Sequence, residues 1–162
     1  MPSGTPKGWF GYLACAWCLT FAVLHVYWAA GGNVGLASSA GADLAARRPA
    51  LFVLVGLWGT ATLLLVGAGF SAALVRGWPR GRLRRLATVT GWLVGAVLLA
   101  RGVVLELVLM TGAGGVAAAV GASETHWGLI LWNPWFMLGG AAFLLTARRF
   151  GRRHPSHPFA SR

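Results

Sequence analysis

LATVTGWLVGAVLLARGVVLELVLM, residues Leu86 to Met110, is apolar from end to end except for Arg101 and Glu106. A helix rising about 1.5 Å per residue needs roughly 20 residues to cross a hydrocarbon core near 30 Å thick, and this stretch exceeds that length. Three more runs of the same kind flank it, approximately Trp9 to Ala30, Ala50 to Val75 and Trp127 to Ala147. Lipid offers backbone amides no partners, so segments this long must be helices; strands of a closed barrel are far shorter. The expected fold is therefore all-α, a four-helix transmembrane bundle forming one membrane domain over residues 1–162 with a basic tail from residue 148.

Composition agrees. The chain is 57% hydrophobic and 10% charged, too little polar surface to cover a water-soluble globule of 162 residues. A net charge of +11 would suggest nucleic acid in a soluble protein, but here the basic residues flank the spans. Lys7, then Arg76, Arg80, Arg82, Arg84 and Arg85, then Arg148, Arg149, Arg152, Arg153 and Arg162 fall on one side if the spans alternate, against only Arg47 and Arg48 on the other. Basic flanks are retained in the cytoplasm, which puts both termini there and turns segments 31–49 and 111–126 outward in the cell membrane. The same arginines attract anionic headgroups, so the bilayer is the expected partner and nucleic acid is not. The first run outlasts the 7–15 apolar residues of a secretory signal and reads as a retained helix. Thirteen arginines to one lysine, with abundant alanine and glycine, suit a GC-rich bacterial genome.

Between the spans, the short proline-broken loop 76–81 predicts that spans two and three form an antiparallel hairpin. His154-Pro155 and His157-Pro158 predict a frayed tail. Gly91 and Gly95 make a small-x-x-x-small pattern that lets another helix approach closely, within the bundle or between protomers, so a homo-oligomer and a partner membrane subunit both stay open.

Charges inside a span cost about 2.5–3.5 kcal/mol each at its centre, so Arg101 and Glu106 should face protein or water. Five residues separate them, about 140° around a helix, which favours partners on other helices over a stacked pair. Alternating topology brings His25, Trp28 and Tyr27 of span one and Asn133 of span four to similar depth, with Glu124 and His126 just above. Asn133-Pro134 resembles a helix N-cap followed by its first residue, so the fourth helix is expected to kink or restart and to aim free amides beside Arg101. The predicted site is a polar pocket opening outward, lined by His25, Trp28, Arg101, Glu106 and Asn133, with Arg101 holding an anionic or carbonyl group and His25 and Glu106 setting its protonation. Three uses remain open: a pocket for a small polar, anionic or lipid-like ligand; a structural or accessory subunit whose buried charges only fix helix register; and an embedded enzyme with His25 as general base oriented by Glu106.

Cys15 and Cys18 have C-x-x-C spacing, but they sit inside span one without a helix N-terminus or second cysteine pair nearby, and small apolar packing is the expected role. Pairing His25 with His126 as haem ligands needs a facing geometry that spacing does not supply. No metal-ligand cluster, serine-nucleophile motif or phosphate loop is present, and no cofactor or catalytic residue can be named.

The segments HVYWAAGG (His25 to Gly32) and WNPWFMLGG (Trp132 to Gly140), together with Arg101, resemble the signatures of a bacterial four-span family, a domain of unknown function. The resemblance spans most of the chain and implies a small integral membrane protein. It assigns no activity to any residue.

Overall fold

Residues 8–78 and 80–152 are described by a computed structural model. Lys7, Pro79, Arg153, Arg162 and the two His-Pro pairs of the tail lie outside them. Four helices are long and apolar enough to span a membrane: α1 (Trp9–Ala29), α4 (Phe52–Arg76), α5 (Arg82–Thr111) and α7 (Ala122–Arg152). Short helices α2 (Leu36–Ala40), α3 (Ala42–Arg47) and α6 (Val116–Val120) decorate one end, called here the capped end. No strand occurs among the described residues. The chain is a multi-pass α-helical membrane protein.

Local chemistry sets the helix ends. Gly77 closes α4 at φ 67°, with its amide on the Leu74 carbonyl and the Trp78 amide on that of Ala73, the paired bonds of a Schellman cap. Gly112 ends α5 in the same left-handed region. Past α3, Arg48 adopts φ 43° and turns its side chain back over the end of α1. There it donates to the carbonyls of Trp28, Gly31 and Gly32 and to Asn33 Oδ1, the last at 2.8 Å. Carbonyls left unpaired by a helix terminus are thereby satisfied. Trp28 fastens the same turn by donating from Nε1 to the Val34 carbonyl at 2.8 Å.

Packing pairs α1 with α4 and α5 with α7, and α1 and α7 join the pairs through their shared core. That core holds Trp17, Phe21, Cys18 and Phe143, while Trp28, Leu36 and Leu57 fill the capped end. The expected hairpin of spans two and three is only partly realised. The loop joining α4 to α5 is short, yet beyond Leu74, which packs with Ala87 and Phe150 near that loop, the two helices part and a gap runs between them. Each has found a better partner.

For α5 that partner is α7, and glycine is the reason. A Cβ at Gly140 would lie 2.6 Å from the Leu99 amide nitrogen and 2.8 Å from the Gly95 carbonyl, and one at Gly102 would lie 2.9 Å from the Asn133 carbonyl. These are backbone atoms that cannot step aside. Gly91 meets Ala147 in the same way, so the small-residue stripe of α5 is used inside the bundle.

Asn133-Pro134 does not restart the fourth helix. Asn133 keeps helical angles, φ −68° and ψ −46°, and the turns over Gly128–Trp132 widen to i→i+5 bonding just before it. Proline lacks the N–H owed to the carbonyl one turn back and its ring crowds that carbonyl; a widened turn absorbs the misfit without breaking the helix. The free amides expected beside Arg101 are therefore not formed.

Gly140→Ala is expected to destabilise the bundle by about 1–3 kcal/mol in detergent melting, because the added methyl meets backbone. Gly69→Ala, where a Cβ has nothing within 4 Å, is expected to be neutral or slightly stabilising.

Candidate intramembrane site

His25 is 8% exposed and set by its own helix: Nδ1 lies 2.8 Å from the Phe21 carbonyl oxygen. A carbonyl only accepts, so Nδ1 carries the proton and Nε2 of the neutral ring presents a lone pair. No described residue pairs with that nitrogen. The imidazole stands edge-on between Phe21 and Trp28, with ring centroids 4.5 and 5.1 Å away. Nothing from Glu106 orients it.

Glu106 instead accepts a hydrogen bond from Asn133 Nδ2 at 3.1 Å, across the α5–α7 contact. Asn133 is 2% exposed and Glu106 half-buried, so this is a part-buried polar link between the two most closely packed helices. Arg101, itself exposed, finds its partner on α7 too, but an aromatic one: its Cζ stands 3.6 Å from the centroid of the Phe136 ring. Arg101 and Glu106 thus meet α7 as separate contacts. Among the described residues Arg101 has no hydrogen-bond or ion-pair partner, and the single ion pair is the exposed Arg47–Asp43 contact within α3. The guanidinium keeps five N–H donors without an acceptor.

Two cavities meet at Arg101. The lower, about 580 Å³, occupies the gap between α4 and α5, with Leu63, Val66 and Val94 along its sides and Phe21, His25 and Phe136 behind. The upper, about 660 Å³, lies beneath the capped end among Ser38, Asp43, Glu124 and Asn133. Arg101, Trp132 and Ser39 border both. Of the five residues expected to line one pocket, His25 lines the lower cavity, Asn133 the upper and Arg101 both. Trp28 and Glu106 line neither, and each makes an internal hydrogen bond instead.

Phe21, Phe136, Trp132 and Ser39 were not among the expected site residues. The aromatics carry a readable signal: Phe21 and His25, and Trp132 and Phe136, are four residues apart and share helix faces. Ser39 comes from the short helix α2, whose placement no spacing reveals. Cys15 and Cys18 are free thiols, and Cys18 borders the lower cavity. His126 is exposed against Trp127 and borders neither cavity, so the structure does not bring it opposite His25. Among the described residues no group of three potential metal ligands converges.

Four spans around a gap, with a lone guanidinium where two chambers meet, define a small polytopic membrane protein of the bundle class. Residues 18–143 match the family described as "Protein of unknown function (DUF3995)", and the chain belongs to that family. Comparison with curated proteins and with solved structures gives no match.

Because Glu106 depends on Asn133 and not on Arg101, Asn133→Leu is expected to cost about 1–3 kcal/mol by stranding the carboxylate. Arg101→Met is expected to change stability by less than about 1 kcal/mol, since thioether–aromatic contact replaces the cation–π contact. Melting of the two variants in one detergent checks the contrast.

Proposed function

We propose that this protein binds a small polar, anionic or lipid-like molecule within the membrane, with Arg101 holding a negative or carbonyl oxygen. The observation that carries this reading is the Arg101 guanidinium, which borders both cavities and has only an aromatic face for company. Arg101 is exposed on a membrane span, where a cation with unmet donors is costly, and Phe136 supports its charge without accepting a hydrogen bond. An oxyanion would satisfy several donors at once. His25 supports the reading from the lower cavity, where Nε2 can accept a hydrogen bond from a ligand hydroxyl.

A structural or accessory role has its own support in the Asn133–Glu106 link and the glycine contact, which tie α5 to α7. Arg101 takes part in neither. We also place the protein in the cell membrane with both termini in the cytoplasm, on the asymmetry of its arginines.

Melting in detergent with butyrate and with inorganic phosphate tests the main reading. The midpoint is expected to rise with probe concentration in the wild type and in Arg101→Lys, and to stay flat in Arg101→Gln. An equal rise in Arg101→Gln would remove the guanidinium from the binding role. For the orientation, fluorescent protein fused after Arg162 is expected to fold and fluoresce, whereas alkaline phosphatase at the same point is expected to stay inactive; the reverse pattern would invert the topology.

A further inference from the structure

We infer that the occupant of this site is an acidic membrane amphiphile that straddles Arg101, its anionic head on the guanidinium at the mouth of the upper cavity and one apolar chain in the gap between α4 and α5. This deepens the preceding reading of Arg101 and rests on it.

Three observations converge. The chambers are stacked in series and differ in character: Ser38, Asp43, Glu124 and Asn133 stand among Leu105, Leu109 and Val120 in the upper one, while Leu63, Val66, Val94 and Leu98 dominate the sides of the lower. A cation where a mixed chamber meets an apolar one suits a lipid whose anionic head ends its apolar chain. Next, the lower chamber faces hydrocarbon. Its side walls belong to the two spans that do not close on each other, and water would find few hydrogen-bond partners among them, whereas an acyl chain slides in without losing contact. Finally, the dimensions suit one chain. From Thr90 to Arg101 the chamber follows α5 for about 16 Å, near half of a hydrocarbon core about 30 Å thick. Its volume of about 580 Å³ falls within the usual range of ligand cavities.

A carboxylate and a phosphate monoester are equivalent on Arg101, and either can come from a lipid or from a free anion, so the test separates the sources. The protein is reconstituted in phosphatidylcholine nanodiscs with oleate or phosphatidic acid, and retention is read by native mass spectrometry beside titrations with butyrate and inorganic phosphate. Oleate or phosphatidic acid is expected to bind at least roughly tenfold more tightly than its short counterpart, from the apolar surface the chain buries. Val94→Trp, which fills the lower chamber and spares Arg101, is expected to abolish that preference while butyrate and phosphate still bind; Val94→Phe serves if the larger ring disturbs folding. Arg101→Gln is expected to weaken both classes by roughly tenfold to a hundredfold. Short anions binding as tightly as the lipids, or lipids held unchanged by both Val94 variants, would overturn the straddling amphiphile and leave Arg101 as a site for small anions. Failure of every probe to bind the wild type would overturn both readings.

Discussion

The backbone contact of α5 with α7 is the constraint on which the rest of the bundle depends. Gly95, Gly102 and Gly140 let the two helices meet at distances no side chain would allow, and that embrace takes α5 away from α4, its neighbour in sequence. The gap is a direct result. The same contact sets Phe136 under Arg101 and Asn133 against Glu106, so the two charges in the outer half of one helix are handled by two residues of another. One face of one helix pair therefore decides both what is locked and what is left open.

The two charges illustrate different solutions to the same problem. Glu106 receives a donor in a part-buried bond between helices, which suits a group that holds them together. Arg101 receives a π face, which tolerates the charge and leaves the donors unclaimed. Charges within a span that serve only architecture are normally paired, because one without partners is costly there. The asymmetry between these neighbours separates a fastening from a candidate binding group.

Much of this was legible before any coordinates. Span number follows from apolar length, and alternating topology points to His25, Arg101 and Asn133 as neighbours in depth; in the structure Arg101 shares one cavity with His25 and another with Asn133. What stayed hidden was partner choice. Periodicity shows that Arg101 and Glu106 point in different directions around α5, but whether each finds a carboxylate, an amide or a ring depends on helix rotation. Trp28 read as a pocket residue because it shares a face with His25; its indole N–H is claimed by a loop carbonyl six residues on. Asn133-Pro134 carries the local signature of a helix start, and tertiary packing overrode it with a widened turn. The splaying of α4 from α5 was unreadable, since a short loop makes adjacency the natural expectation.

Arg48 reaches from the last turn before α4 to the closing carbonyls of α1. One side chain thus pins both ends of the segment that runs from α1 to Arg48, and that segment carries Ser38, Ser39 and Asp43 into the wall of the upper cavity. A loop closed on itself in this way keeps its outline without leaning on the spans beneath it, so the wall it builds is fixed by a single residue remote from the cavity.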